Sequence, residues 1–162
     1  MPPGFDFSLA QLSRREAIDF WRRKGVAPMS GALDDDWGEA SLFVPAGARG
    51  PVFLVSRNFH ALLRYNTAPA YALAVSRLAA RFENNAAPFQ TPWPVADRPL
   101  LPEELVALQS LLSKAGYKVS IVDGVLGPET RAAVRAFQRD ANLVEDGYAT
   151  PGLLVQLRRH LR

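Results

Sequence analysis

Asp123-Gly124-Val125-Leu126-Gly127-Pro128 is echoed 23 positions on by Asp146-Gly147-Tyr148-Ala149-Thr150-Pro151. Each copy sets an Asp-Gly turn ahead of a proline that can open a helix. Asp suits the first place of a tight turn, and Gly takes the positive φ that other residues reach only with strain. Proline loses nothing at the first helical position, where the amide has no partner within the helix anyway. The doubled phrase predicts a compact helical module that uses one turn and one kind of helix start twice.

The surrounding residues supply the helices. Pro102 opens one, with Glu103 and Glu104 placed where the helix dipole favours acids. Leu105, Leu108, Leu111 and Leu112 form its apolar face, and Gly116 closes it. Pro128 opens a second, with Ala133, Val134 and Phe137 inward and Arg131, Arg135 and Arg139 in one cationic stripe at i, i+4, i+8. Pro151 opens a third, with Leu153, Leu154, Leu157 and Leu161 inward. Three such helices close a small core of about 60 residues, feasible as an independent unit.

Upstream the pattern changes. Ser13 and Glu16 match a capping box, which predicts a helix over 14–24 with Ala17, Ile18 and Trp21 on one face, stopped by Gly25. Ala40 to Pro45 and Pro51 to Ser56 read as two neighbouring strands joined by Ala46-Gly47-Ala48-Arg49-Gly50. Asn58 can cap a helix carrying Phe59, Leu62 and Leu63, which ends near Tyr65-Asn66. Pro69 starts another through Phe82 with a mostly buried pattern. Residues 84–99, rich in proline and without helical period, read as a semi-stiff linker in which Trp93 anchors on a neighbouring domain. The fold class expected is mainly α with a small β element. The expected domains are 1–83, the linker 84–99, and the three-helix unit 100–162.

Bulk properties narrow the function. The chain has 162 residues, 48% hydrophobic, with a net charge of +3. That charge is +2 up to Glu83 and +1 beyond, and the basic residues are interleaved with acids. Such dispersion argues against nucleic acid as a partner, because that binding rests on clustered Lys and Arg. Cysteine is absent, which excludes disulfides, thiol catalysis and cysteine-ligated zinc. Asp34-Asp35-Asp36 reads as a solvated acidic loop, and His60 and His160 pair into no metal site, so neither metal nor cofactor is expected. No stretch approaches the ~20 apolar residues of a membrane span. The opening Met-Pro-Pro-Gly-Phe-Asp has neither the basic nor the apolar region of an export signal.

The motif Leu108-Gln109, Gly116-Tyr117, Asp123-Gly124, Gly127-Pro128, Thr130-Arg131, Ala133-Val134, Phe137-Gln138 and Asp146-Gly147 resembles the three-helix peptidoglycan-binding domain of bacteria. The upstream half resembles the end of the catalytic domain of the lytic murein transglycosylase B family, a lysozyme-like fold. That likeness rests on Gly50-Pro51, Phe53-Leu54-Val55, Arg57-Asn58-Phe59, Leu63-Arg64-Tyr65-Asn66 and Tyr71-Ala72-Leu73-Ala74-Val75. The resemblance implies attachment to glycan strands and stem peptides, and a location in the periplasm or cell envelope. With no export signal, the start as written implies the cytoplasm instead.

The family's enzymes cleave between N-acetylmuramic acid and N-acetylglucosamine without water, leaving a 1,6-anhydro end. A single glutamate serves as acid and then base, since the sugar's own 6-hydroxyl attacks. By resemblance that glutamate lies ahead of the matched segments. Glu16, expected on a surface helix, Glu39, in an acidic loop, and Glu83, at a helix end, each read as solvated charges, so no catalytic residue is expected. Tyr65, Asn66 and Tyr71 match positions facing the glycan, although Asn66 also reads as a helix cap and the tyrosines as packing. In the three-helix module, Tyr117 and Arg131 are the candidate contacts for peptidoglycan, within a cluster that also includes Asp123, Thr130 and Gln138. The expected function is non-covalent wall binding by the end of a transglycosylase. The alternatives are a part of an active transglycosylase, and an interaction module recruited to another partner.

Overall fold

A computed structural model describes residues 1–29, 32–33, 35–83, 88–89 and 91–161. By contacts the chain divides into two units: Met1–Phe5, Leu9–Val44 and Pro51–Pro92 form the first, and Asp6–Ser8, Pro45–Gly50 and Trp93–Arg162 the second.

In the first unit, strands β1 (Glu16–Ala17), β2 (Glu39–Phe43) and β3 (Phe53–Val55) form an antiparallel sheet in that order. Glu16 pairs with Ala40, and Leu42 with Leu54. Ala40, Ser41 and Leu42 are all buried, so β2 is covered on both faces. Helix α1 is short, Ile18–Arg23. The helix expected over 14–24 loses its first turn because the backbone at Ala17 is extended (ψ 151°) and pairs with β2. Glu16 therefore lies in a strand, where it meets Arg14 at 2.8 Å instead of reaching back to Ser13. Glu39 likewise opens β2 and is not part of a loop. Gly25 ends the helix at φ +74°, and a Cβ there would come within 3.0 Å of Pro2. Trp21 is wholly buried and its Nε1–H donates to the Ala40 carbonyl at 2.9 Å, tying helix to sheet.

Helices α2 (Arg57–Tyr65) and α3 (Pro69–Phe82) follow. Ser56, not Asn58, holds the cap position of α2. The buried pattern expected of α3 is not realised: Ala72 is its only buried residue, while Leu78 and Phe82 are exposed. Of the acidic run, Asp34 lies outside the described residues, and Asp35 pairs with Arg22. Of the linker, 84–87 and 90 lie outside them. Phe89 packs edge-on against Phe53 (5.6 Å) and under Arg77 (4.5 Å).

The second unit holds α4 (Pro102–Lys114), α5 (Pro128–Asp140) and α6 (Pro151–His160), each opened by its proline. Leu108, Leu112, Ala133, Val134, Phe137, Leu153, Leu154 and Leu157 form its core. Leu161, expected inward, is 40% exposed because α6 ends before it. Arg98 grips Glu104 through two 2.7 Å contacts, and the Leu101 amide adds a third to the same carboxylate. These bonds hold the Glu104 carboxyl down at about 2.

Candidate functional site

The turns quoted at the outset are built alike. The side-chain oxygen of buried Gln109 accepts from the Asp123 and Gly124 amides, at 3.0 and 2.8 Å. Its NH₂ donates to Asp123 Oδ1 (2.9 Å), Thr130 Oγ1 (3.1 Å) and the Val125 carbonyl (3.1 Å). One helix later, Gln138 does the same work. Its oxygen accepts from Gly147 N (2.8 Å) and its NH₂ donates to Asp146 Oδ1 (2.7 Å). Both Asp side chains also accept at 2.9 Å from the amide two residues on, Val125 and Tyr148. The likeness extends to the helix ends. Gly116 at φ +87° lets Tyr117 N reach the Leu112 carbonyl, and Asn142 at φ +54° lets Leu143 N reach that of Gln138. Gln138 thus serves the second turn and not the first, and Gln109 is a residue that sequence reasoning misses. The signal for both is a glutamine at a buried helical position ahead of an Asp-Gly pair.

The proposed cluster around the first turn is thereby divided. Thr130 faces that turn through Gln109. Tyr117 stands apart from it: its ring edge meets Phe137 (6.0 Å) and its hydroxyl donates to Asp140 at 2.8 Å. Burial, then the hydrogen bond to Asp140, push its pKa up to about 12. Arg131 belongs to the second turn, near Asp146 and Tyr148. Protein atoms crowd its guanidinium although the side chain keeps accessible surface. The desolvation, and then Arg135, lower its pKa, with Asp146 opposing them. No ion pair closes on Arg131 or Arg135 among the described residues, whereas Arg139 is held by Glu145 at 2.6 Å. The cationic stripe thus has two unpaired members.

A cleft of about 330 Å³ opens beside the second turn, lined by Gln138, Asp146, Tyr148, Thr150, Arg49 and Asp97 among others. Its wall includes the Pro45–Gly50 segment of the same unit. Ala48 N donates to Asp146 Oδ2 at 2.9 Å, Arg49 pairs with Asp97, and the Tyr148 hydroxyl reaches the Asp97 carbonyl at 3.1 Å.

In the first unit, Tyr65, Asn66 and Tyr71 come together at the corner between α2 and α3. Tyr65 is 83% exposed and its ring lies 6.3 Å from that of Tyr71 at a 35° tilt. Asn66 follows the last turn of α2, and its Oδ1 accepts from Ala68 N at 2.9 Å. That leaves its NH₂ without a hydrogen-bond partner among the described residues. No group of three metal-ligating side chains occurs among the described residues.

A small α+β unit with an aromatic corner, on one chain with a turn-clamped three-helix unit, defines a two-module protein. Residues 1–80 match the family described as "Transglycosylase SLT domain", and residues 102–157 match "Putative peptidoglycan binding domain". The two matches together give this chain a transglycosylase SLT domain followed by a peptidoglycan-binding domain. A search of curated proteins returned no match. Two solved structures of SltB3 from Pseudomonas aeruginosa, in complex with NAG-anhNAM-pentapeptide and with NAG-NAM-pentapeptide, are similar to it. Each is 43% identical with a TM-score of 0.91 over 98% of this chain and 43% of that one. The chain therefore spans less than half the length of that relative.

Proposed function

We propose that this chain binds cell-wall peptidoglycan non-covalently and performs no glycan cleavage by itself. The observation that carries this reading is the pair of matches on one chain, a transglycosylase domain and a peptidoglycan-binding domain. Residues 100–162 act as the wall-binding domain, 84–99 as the linker, and 1–83 as the end of the catalytic domain. Arg131 meets stem-peptide carboxylates, and Tyr117 offers a separate peptidoglycan contact at the other end of α5. Tyr65 and Tyr71 offer apolar faces to sugar rings, while the Asn66 NH₂ donates to acetamido or hydroxyl oxygens.

The lack of a catalyst is supported by the state of the seven glutamates, none of which is buried. Glu16, Glu104, Glu129 and Glu145 are held by Arg14, Arg98, Ser120 and Arg139. A general acid needs a carboxyl whose pKa is raised by desolvation, whereas hydrogen bonds lower those of Glu104 and Glu129.

The same family and the complexes of SltB3 with peptidoglycan fragments favour the cell envelope as the place of action. No described helix is long and apolar enough to cross a membrane. The match to 43% of SltB3 favours a second reading, in which these residues serve as part of an active lytic transglycosylase.

Sedimentation with purified sacculi tests the proposal. Wild-type chain is expected in the pellet, with Arg131→Gln and the Tyr65→Ala, Tyr71→Ala pair reduced. A folded chain that stays in the supernatant overturns wall binding. Release of anhydro-muropeptides by the chain alone overturns the denial of activity.

A further inference from the structure

The two Asp-Gly turns share one construction, yet only one is occupied. At the second, Asp146 Oδ1 is taken by Gln138 and by Tyr148 N, and Oδ2 receives the Ala48 backbone amide at 2.9 Å. The segment delivering that amide is Ala46-Gly47-Ala48. Ala46 and Gly47 are buried, and Gly47 lies so close that a Cβ would stand 2.6 Å from Asp146 Oδ2 and 2.8 Å from Tyr148 Cβ. The chain thus shows on itself what such a turn accepts: a backbone N–H carried by residues with little or no side chain.

At the first turn, Asp123 Oδ1 is taken in the same way by Gln109 and by Val125 N. No described residue donates to its Oδ2, and the side chain is exposed. Ile121, Val122 and Val125 are exposed around it and form an apolar rim. The loop is already rigid before any ligand arrives, pinned by Gln109 at Asp123 and Gly124. At Ser120 the amide and hydroxyl both donate to Glu129, at 2.8 and 2.9 Å. Preorganisation of this kind reduces the ordering cost of binding. The Gln109 hydrogen bond, and then that of Val125 N, hold the Asp123 carboxyl below its usual range, so it remains an acceptor in mild acid.

We propose that Asp123 Oδ2 and the rim of Ile121, Val122 and Val125 form a docking site for a short peptide of small residues, bound through a backbone N–H as Ala48 is bound by Asp146. The site rests on the wall-binding reading and names its ligand there: the alanine-containing stem peptide. Methyl side chains suit the apolar rim, an internal amide suits the carboxylate, and a terminal carboxylate is repelled by it.

The probes are soluble GlcNAc-MurNAc-pentapeptide and the same disaccharide without peptide, titrated into the ¹⁵N-labelled full chain. Amide shifts centred on 121–125 are expected with the first probe and absent with the second. Asp123→Asn keeps Oδ1 for Gln109 and Val125 but turns an NH₂ outward, and is expected to weaken binding by about tenfold or more with the spectrum otherwise unchanged. Ile121→Asp removes part of the rim without touching the Gln109 clamp and is expected to weaken binding as well. Unchanged affinity in both variants, shifts at 121–125 with the bare disaccharide, or no shifts there with the peptide-bearing probe would each overturn the site. Sacculus sedimentation is run in parallel. Retention of wild-type chain on the wall in those cases leaves the wall-binding reading standing, and its loss removes both.

Discussion

Gln109 and Gln138 each commit a whole primary amide to one turn, accepting with the oxygen and donating with the nitrogen. Replacing either with Leu leaves buried or half-buried amides without partners and takes one of two donors from a carboxylate oxygen. Each substitution is expected to lower the stability of the second unit by about 1–3 kcal/mol in denaturant titrations. Ser41 and His60 make the corresponding polar contact in the first unit. The Ser41 hydroxyl donates to the Leu12 carbonyl at 3.1 Å, so the His60 Nε2–H donates to Ser41 Oγ at 3.0 Å. Neutral imidazole is enough for that bond. Burial, and then Arg15, lower the His60 pKa from 6.5. The folded chain therefore takes up this proton at lower pH than the unfolded chain does. Its contribution is complete above about pH 6.5 and is lost as pH falls from there toward the lowered folded value. Unfolding free energies measured from pH 7.5 to 5 are expected to show this decline, flattened in His60→Gln.

Among the elements, α3 departs most from expectation. Its sequence alternates apolar and small residues at helical spacing, yet Leu78 and Phe82 face solvent. Leu78→Ser and Phe82→Ser are therefore expected to change stability by no more than about 0.5 kcal/mol. Both variants are also expected to elute later than wild type at high concentration if self-association uses this face, a size-exclusion comparison. Periodicity reports that a helix has an apolar stripe and is silent on whether anything covers it. The same limit shortened α1, since the capping box at Ser13 and Glu16 is a local signal and the pairing of Glu16 with Ala40 is a long-range one. The prolines at 102, 128 and 151 were legible because each acts within its own turn. Of the candidate site, Tyr65, Asn66 and Tyr71 could be placed at the junction of two helices from sequence alone. The division of Tyr117, Thr130 and Arg131 between different ends and faces of α5 depended on how three helices pack.

For the whole molecule, the charge distribution sets an expectation. A net +3 spread among interleaved acids provides little long-range attraction to the anionic wall. Contacts at hydrogen-bond range outlast a Debye length of roughly 3–5 Å near molar salt. Retention on sacculi is accordingly expected to fall less than about tenfold between 0.05 and 0.5 M NaCl, where a polycation would be released.

The clamped turns also bear on how the molecule ages. In a flexible chain, Asp-Gly is the aspartate pair most prone to cyclise: the glycine nitrogen attacks the side-chain carboxyl, water leaves to give an imide, and hydrolysis of that imide yields isoaspartate. Here the nitrogens of Gly124 and Gly147 are each pinned at 2.8 Å to a glutamine oxygen. Folding thus withholds the nucleophile at both sites. The residues that give the module its shape also set its chemical lifetime, which is long while the glutamines stay in place and short once either turn is released.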